Sequence, residues 1–397
     1  MKVNLITLGC KVNQVESETL HRKLEERGFI MTEEDADVTI LNSCVVTAQS
    51  EKKANRILRR ALEESQHVIA MGCFVPPQDL LEKVHIIDNA DKDRAAQIIT
   101  DITGYRGEGI FSDFTQNTRA FLKIQDGCNQ FCSYCIIPYM RGRERSLSLD
   151  KILEDVRFAL AQGQVEMVLT GIHLSGYGRD NESSLIEVIE AVDAMEGVQR
   201  IRLGSLEQGV VTEEFLERST ALKHFCDHFH LSLQSGSRSV LKRMNRHYTP
   251  EEYLETVECI RRFYPRAAIT TDIIVGFPGE TEEEFLETME FVRLVGFSKV
   301  HLFSYSKRIG TKASLLKDLP MSVKKERLNR LKEVTEDLEI QYLESFLGEV
   351  EEVLYEENYG HTRKYLQVHS EKSFQKGILI PMKLVKRVGF ALLGEEL

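Results

Sequence analysis

The chain has 397 residues, of which 42% are hydrophobic and 28% are charged, and its formal net charge is −11. This length allows two or three domains with separate cores, and the acidic balance argues against a generally basic nucleic-acid-binding protein. The N-terminus turns polar at Lys11 without the apolar stretch of a signal peptide, and no stretch reaches the roughly 20 apolar residues of a membrane span. We therefore expect a cytoplasmic protein without a membrane segment. In that reducing compartment the eight cysteines are expected to be metal ligands or free thiols rather than disulfides.

Three strand-like runs in residues 1–116 each lead to a cysteine. KVNLITLG is followed by Cys10, DVTILNS by Cys44 and HVIAMG by Cys73, with helical sequence between the runs. This alternation predicts an open parallel sheet, and in such sheets the carboxyl ends of the strands form one ligand-binding edge. The three cysteines are therefore expected to converge as one metal site. Three ordinary buried cysteines are the alternative.

The stretch GCNQFCSYCIIP, residues 127–138, places Cys128, Cys132 and Cys135 at CxxxCxxC spacing. Three thiolates so close together can hold three irons of a 4Fe–4S cluster, which leaves one iron open for chemistry. A zinc site with a distant fourth ligand is the alternative. An aromatic residue before the last cysteine, here Tyr134, is unusual in zinc sites.

Six strand–helix units are predicted between residues 117 and 335. The strands are expected at 120–125, 166–170, 200–203, 228–233, 268–275 and 298–303. The helices are expected at 149–162, 185–195, 213–221, 250–263 and 280–295. This series predicts an open, partial relative of the eightfold α/β barrel, whose sites lie at the carboxyl ends of the strands. The cysteine loop follows the first strand and is therefore expected at that rim.

Basic residues flank two parts of this barrel and could reach RNA phosphate at its mouth, although a solvated basic face is the alternative. They are Arg141, Arg143, Arg145, Lys242, Arg243, Arg246 and His247.

Residues 336–397 finish a long helix and then alternate with period two, which predicts a small β-barrel. Between Tyr359 and Phe390 the chain has seven Lys or Arg residues and one acidic residue, with aromatic residues interleaved. Cations and aromatic rings on a small barrel suit the backbone and bases of RNA. The residues predicted to contact RNA are Arg363, Lys364, Lys383, Lys386 and Arg387. A basic edge that only deters strand aggregation is the alternative.

Several stretches resemble one family. CxxxCxxC resembles the radical S-adenosylmethionine (SAM) enzymes, in which this triad binds a 4Fe–4S cluster whose open iron is chelated by SAM. The motifs LGCKVNQVESE, LNSCVVTAQSEKK, MGCFVP, LSLQSGSRSVLKRMNRHYT and FSYSKRIGTKA resemble the methylthiotransferases of that superfamily. GCKVNQ in particular resembles the branch that acts on threonylcarbamoyladenosine in tRNA.

The resemblance implies two 4Fe–4S clusters and SAM as cofactors. Cys10, Cys44 and Cys73 would bind the second cluster, and Gly171 matches the family's site for the SAM amino group. Polar groups at other strand ends would contact the ribose, the adenine or the methionine carboxylate of SAM, although each could instead be a cap or turn residue. These are Ser205, Glu207, Gln234 and Asp272.

The resemblance further implies a three-part chain: a methylthiotransferase domain at 1–116, a radical SAM barrel at 117–335 and an RNA-binding TRAM-like barrel at 336–397. The implied reaction places a methylthio group on carbon 2 of N6-threonylcarbamoyladenosine at tRNA position 37. One SAM would give the methyl group and a second the radical. The expected partners are a tRNA anticodon stem-loop and an electron donor such as flavodoxin or ferredoxin, and the protein is expected to be a monomer.

Three alternatives stay open. The same chemistry could act on isopentenyladenosine in tRNA or on an aspartate of a ribosomal protein. From a different class, the chain could be an electron carrier with two iron–sulfur clusters and no substrate. Formation of 5′-deoxyadenosine from SAM separates the enzyme from the carrier.

Overall fold

The structure is a computed structural model that describes residues 1–44, 48–109 and 118–397. The chain forms two compact units. Unit 1 comprises the described residues of Met1–Thr115 with Gly127–Arg143 and Ser306–Ser314, and unit 2 comprises those of Gln116–Asp126 with Glu144–Tyr305 and Leu315–Leu397. The described residues do not include the predicted boundary at 116/117. They also do not include residues 45–47 of the motif LNSCVVTAQSEKK. The three-part division therefore stays a prediction.

Unit 1 contains a parallel sheet with the strand order β2-β1-β3-β4-β5. Its strands are β1 (Lys2–Thr7), β2 (Ile30–Met31), β3 (Val38–Ser43), β4 (His67–Gly72) and β5 (His85–Ile87). Its helices are α1 (Lys11–Glu25), α2 (Ala48–Glu64), α3 (Gln78–Leu81), α4 (Ala95–Thr103) and, in the cysteine loop, α5 (Ile137–Arg141). The predicted open α/β sheet is confirmed.

Both faces of this sheet are buried, which explains its nearly continuous apolar strands. Ile40 packs into a core with Leu20 of α1, whereas its neighbour Leu41 packs into a second core with Leu58 of α2. Each fully buried aliphatic side chain stabilises the fold by roughly 1.5–3 kcal/mol. Helices cover both faces of the sheet, and its carboxyl edge bears the cysteines.

Unit 2 contains six parallel strands in sequence order, as predicted. The strands are β6 (Arg119–Asp126), β8 (Glu166–Gly171), β9 (Arg200–Leu203), β10 (His228–His230), β11 (Ala268–Val275) and β12 (Lys299–Ser304), with β7 (Arg145–Ser146) antiparallel beside β6. The helices are α6 (Leu149–Ala161), α7 (Leu185–Asp193), α8 (Glu213–Thr220), α9 (Arg238–Arg243), α10 (Pro250–Phe263), α11 (Glu282–Val295) and α12 (Met321–Glu344). Parallel bridges from Ile201 to Phe225 and from Leu206 to Leu231 join β9 to the β10 segment.

Several predicted elements are shorter in the structure: the helices expected at 149–162, 185–195 and 213–221 end at Ala161, Asp193 and Thr220, and two further elements have an evident cause. The strand expected at 228–233 ends at His230 because the chain leaves regular pairing before Gln234, whose φ is +71°. The helix expected from 280 begins at Glu282 because Thr281 caps it: its hydroxyl accepts from the Glu284 N–H in a capping box.

The C-terminal strands form a closed barrel in the order β13-β14-β15-β17-β16, which confirms the predicted small β-barrel. They are β13 (Val350–Tyr355), β14 (Tyr359–His361), β15 (Gln367–His369), β16 (Leu379–Val388) and β17 (Ala391–Glu396). Closure leaves no free sheet edge in a barrel this small.

Buried arginines on β9 hold this small barrel. Arg200 donates to the His361 carbonyl at 2.7 Å, and Arg202 donates to the Thr362 carbonyl at 3.1 Å and to Glu166 Oε1 at 2.8 Å. Burial alone would raise the pKa of Glu166, but the charges of Arg202 and Arg200 outweigh it and the pKa is lowered. Since these side chains are buried, loss of one partner would leave an uncompensated charge.

Candidate cluster and substrate sites

The cysteines of the first triad follow three neighbouring strands. In the register of the sheet, Thr7 of β1 pairs with Asn42 of β3, and Ser43 of β3 pairs with Gly72 of β4. The strand ends are therefore aligned, so Cys10, Cys44 and Cys73 lie along the same edge of the sheet.

Two glycines allow the backbone to pack closely at this edge. Gly9 has φ +131°, and a Cβ there would lie 2.4 Å from the Cβ of Cys44. Gly72 has φ +99°, and a Cβ there would lie 2.2 Å from the Ser43 carbonyl oxygen. Only glycine meets both requirements without displacement. These positions bring the backbones that carry the three thiols together.

A buried amide pair lies beside Cys10. The Cys10 thiol donates to Asn13 Oδ1 at 3.1 Å, and Asn13 Nδ2 donates to Asn42 Oδ1 at 3.0 Å. Asn42 Nδ2 in turn donates to the Asn13 carbonyl at 2.9 Å. This chain of hydrogen bonds fixes the start of α1 against β3 and so fixes Cys10 relative to Cys44.

The second triad lies on a tight loop of unit 1. Gly127 has φ +74°, and a Cβ there would lie 2.0 Å from the Arg143 carbonyl oxygen. The Cys128 N–H donates to the Gly142 carbonyl at 3.1 Å, and the Cys135 N–H donates to the Cys132 carbonyl at 3.0 Å. These contacts close the loop at its base and curl it between the last two cysteines.

The thiols of this loop interact electrostatically. Burial raises the pKa of Cys135 to about 12, and the neighbouring Cys132, Cys128 and Cys73 sulfurs add to the rise. Burial also raises the pKa of Cys73, against the opposing charge of Arg141, and Cys10 contributes to that rise. Burial is therefore the main cause of the raised pKa of both thiols.

The donor set fits iron–sulfur chemistry. Each triad offers three sulfurs held by a constrained backbone, and thiolate donors select iron–sulfur clusters, zinc or copper(I). The other two cysteines lie in unit 2, where Cys226 is fully buried and Cys259 lies on α10.

The barrel strands of unit 2 have one face in the helix-covered core and an opposite face on which most residues are polar, although Phe121, Val168, Ile274 and Phe303 also lie there. Ile269 and Ile273 of β11, Phe229 of β10 and Leu302 of β12 belong to the helix-covered core. The alternate residues point to the opposite face because side chains alternate along a strand. On β6 and β8–β12 this face carries Lys123, Gln125, Thr170, Arg202, His230, Asp272 and His301. A polar inner face can bind a polar substrate.

Three of these residues meet on neighbouring strands. His230 Nε2 lies 3.3 Å from Asp272 Oδ2, and His230 Nδ1 lies 2.9 Å from Thr270 Oγ1. Asp272 pairs in register with His301, whose ring centroid is 5.7 Å from that of His230. Burial lowers the pKa of His301 although Asp272 opposes the shift. Sequence reasoning missed both histidines, which alternate with apolar residues in HFH and KVHLF.

The residues predicted to contact SAM lie near strand ends of unit 2. Gly171 ends β8, and a Cβ there would lie 2.8 Å from Gln125 Oε1. Ser205 is exposed after β9. Gln234 donates its backbone N–H to the Asp272 carbonyl at 2.8 Å. The N-cap of α9 is Ser237, so Gln234 does not cap that helix. SAM contacts by these residues stay a prediction.

Glu207 already has two partners in the structure. Arg246 NH1 lies 2.8 Å from one carboxylate oxygen and His173 Nε2 lies 3.2 Å from the other. Burial alone would raise the pKa of Glu207, but these partners outweigh it and the pKa is lowered. His173 Nδ1 lies 2.7 Å from Glu144 Oε1, so this imidazole is held between two carboxylates. Sequence reasoning missed His173, although it stands two residues after Gly171.

The five residues predicted to contact RNA differ in their environment. Arg363 donates to the carbonyls of Lys223 and Phe225. Lys364 lies 2.9 Å from Glu351 Oε1, and Arg387 donates to Glu344 Oε1 at 2.9 Å. Lys383 and Lys386 are exposed on β16.

The prediction that Arg141 could reach RNA phosphate at the mouth of the barrel is wrong. Its side chain is fully buried in unit 1, where it pairs with Glu16 at 2.8 Å. It is therefore unavailable to an RNA phosphate. Arg243 pairs with Glu284 at 2.6 Å, whereas Lys242 and His247 are exposed.

Comparisons with known proteins agree with this arrangement. Residues 122–292 match the family model of the radical SAM superfamily, and residues 2–90 match the model described as uncharacterized protein family UPF0004. A radical SAM methyltransferase, TsrM from Kitasatospora setae, superposes with a TM-score of 0.59 at 12% identity over 79% of this chain and 77% of its own. The fold is thus that of radical SAM proteins.

Two curated relatives cover most of the chain. The threonylcarbamoyladenosine tRNA methylthiotransferase MtaB of Bacillus subtilis is 36% identical over 90% of this chain and 85% of its own length. A tRNA-2-methylthio-N(6)-dimethylallyladenosine synthase of Clostridium botulinum is 34% identical over 98% of this chain and 96% of its own length. The chain belongs to the radical SAM methylthiotransferase family. An iron–sulfur cluster and SAM are therefore its cofactors. Among the described residues no helix is long and apolar enough to span a membrane.

Proposed function

We propose that this protein is a tRNA methylthiotransferase that modifies carbon 2 of N6-threonylcarbamoyladenosine at position 37. The observation that carries the proposal is the 36% identity to the Bacillus subtilis methylthiotransferase over 85% of that protein. The constrained thiols of unit 1 and the polar inner face of the barrel supply the sites that such a reaction needs.

Cys128, Cys132 and Cys135 hold one 4Fe–4S cluster in this proposal, and Cys10, Cys44 and Cys73 hold a second. When bound, the clusters and SAM supply the one-electron chemistry that a non-acidic C–H bond requires and that side-chain acids and bases cannot provide. The role of this chain is to hold the sulfur donors, to bind SAM and to orient the base. The Cys73 sulfur lies 3.0 Å from Nε of Arg141, which belongs to the loop segment of the second triad, and this contact supports the two-cluster arrangement.

The polar inner face of unit 2 binds the modified base. His230, Asp272 and His301 form a cluster of donors and acceptors that suits the hydroxyl, carboxylate and urea groups of a threonylcarbamoyl substituent. An isopentenyl group is apolar and would form no hydrogen bonds with these three side chains, so it would gain no binding free energy from them. This contrast favours the threonylcarbamoyl substrate over the isopentenyl one.

The expected partners follow from this reaction. A tRNA anticodon stem-loop is the substrate, and Lys383 and Lys386 on the small barrel contact its backbone. A flavodoxin or ferredoxin supplies electrons, the protein works as a monomer, and the cytoplasm is its compartment.

The test is reaction of the reconstituted protein with SAM, a reductant and tRNA that carries either modification, followed by mass spectrometry of the nucleosides. We expect the methylthio product only from threonylcarbamoyl-modified tRNA. A product on isopentenyladenosine alone would contradict the proposed substrate. Formation of 5′-deoxyadenosine without product on either tRNA would direct the search to a ribosomal-protein aspartate. No 5′-deoxyadenosine at all would favour an electron carrier.

A further inference from the structure

Arg141, the last residue of α5, connects three segments of unit 1. Its Nε donates to the Cys73 sulfur at 3.0 Å, and its two terminal nitrogens donate to the Glu16 carboxylate at 2.8 and 3.3 Å. The side chain is 0% exposed. A guanidinium from the loop of the second triad thus hydrogen-bonds a sulfur of the first triad.

Two cationic side chains and a carboxylate form a buried group beside this sulfur. Glu16 also pairs with Lys92, and both of these side chains are nearly buried, at 5% and 6% exposure. Arg141 and Lys92 carry two positive charges against the one negative charge of Glu16. Burial of a charge costs several kcal/mol unless it is compensated. The positive charge and the N–H donor of Arg141 would stabilise an anionic sulfur at Cys73.

We propose that Arg141 is a positioning residue for the cluster at Cys10, Cys44 and Cys73, and that its N–H···S bond raises the reduction potential of that cluster. This inference rests on the proposed function, since it requires the second cluster. Hydrogen bonds to cluster sulfurs and nearby charge set the potential of iron–sulfur centres.

The direction of the change in reduction potential follows from the charge of the cluster in its two oxidation states. Reduction adds one electron to the cluster, so the reduced state is the more negative one. The positive charge and the N–H donor of Arg141 stabilise that state more than the oxidised state. Removal of Arg141 therefore makes reduction harder and lowers the potential. Because the side chain is buried, solvent screens this effect little.

The experiment compares the wild-type holoenzyme with Arg141→Met, Arg141→Lys and a control, Arg59→Met. Arg59 also lies in unit 1, but it forms an exposed pair with Asp79 at 2.7 Å. Iron content is measured first. EPR-monitored redox titrations with and without SAM then separate the two clusters, because only the SAM-binding cluster should change its signal when SAM is added.

We expect all variants to keep the iron content of the wild type. In Arg141→Met the cluster that gives the SAM-insensitive signal should be harder to reduce. Its equilibrium constant for reduction should fall at least tenfold, which lowers the reduction potential by about 59 mV for a one-electron couple. Arg141→Lys keeps the charge and should shift less, and Arg59→Met should match the wild type.

Each other outcome is informative. An unchanged potential in Arg141→Met with full iron content overturns the inference and leaves the proposed function intact. Loss of half the iron in both Arg141 variants would show a purely structural ion pair and would also overturn it. A wild-type protein with one cluster only would instead contradict the two-cluster proposal itself.

Discussion

The two cysteine triads of unit 1 are built in different ways. Cys128, Cys132 and Cys135 come from one loop closed by Gly127, whereas Cys10, Cys44 and Cys73 follow three strands whose alignment depends on the whole sheet. The local triad is set by chain connectivity. The dispersed triad exists only when β1, β3 and β4 are paired in register. A local site is therefore expected to survive changes that a dispersed site does not.

We expect the largest effect from a triple variant in which Ala replaces Cys128, Cys132 and Cys135. The iron content should fall from about eight to about four per chain, and 5′-deoxyadenosine formation should stop because the cluster that binds SAM is lost. Iron analysis and chromatography of SAM products measure both. SAM cleavage by this variant would refute the assignment of the loop.

Replacement of Cys10, Cys44 and Cys73 with Ala tests whether the two triads have separate roles. Because the ligands of the loop cluster are local, this variant should keep about four irons and still form 5′-deoxyadenosine. Methylthio product should be lost. If nucleoside mass spectrometry still detects the product, the first triad is ordinary core, and its replacement costs only packing free energy.

Gly72→Ala tests the register on which the dispersed triad depends. A Cβ at this position would meet the Ser43 carbonyl at 2.2 Å, so we expect a loss of about 2 kcal/mol in the free energy of unfolding, together with loss of iron from the first cluster only. Gly104→Ala is the matched control, since Gly104 has φ +64° but no atom within 4 Å of its Cβ position. Equal urea midpoints for the two variants would show that the close contact is unimportant.

The smallest effect is expected from changes in the small barrel of unit 2. Lys383→Gln with Lys386→Gln should weaken tRNA binding and reduce the salt slope by about one for each lost phosphate contact, while 5′-deoxyadenosine formation is unchanged. Lys151→Gln removes another exposed lysine of unit 2 and serves as the control. Identical salt slopes for the double variant and the wild type would remove the RNA-binding interpretation of β16.

The sequence predicted the elements whose signals are local. The strand at 268–275 and the helix at 250–263 have the predicted bounds because alternation, a capping Thr249 and a Pro at the first turn are all visible in the chain. The CxxxCxxC site could likewise be predicted without knowledge of the fold, because its three cysteines are close together in sequence. Long-range partners could not be predicted. The local sequence places Arg141 on a basic surface, but in the structure it is buried and pairs with Glu16, which lies 125 residues earlier in the chain. The grouping of His230 with His301 also depends on strand order.

The buried arginines of β9 have a consequence for the order in which the protein matures. Arg200 hydrogen-bonds a carbonyl 161 residues later in the chain, and Arg202 one 160 residues later. During synthesis these guanidiniums leave the ribosome long before their acceptors do. At the usual rates of about 5–20 residues per second the delay is on the order of ten seconds. Through that interval Arg200 and Arg202 lack these two carbonyl acceptors. Synthesis of the segment that contains His361 and Thr362, rather than pairing of the parallel strands, therefore supplies the last partners of these buried arginines.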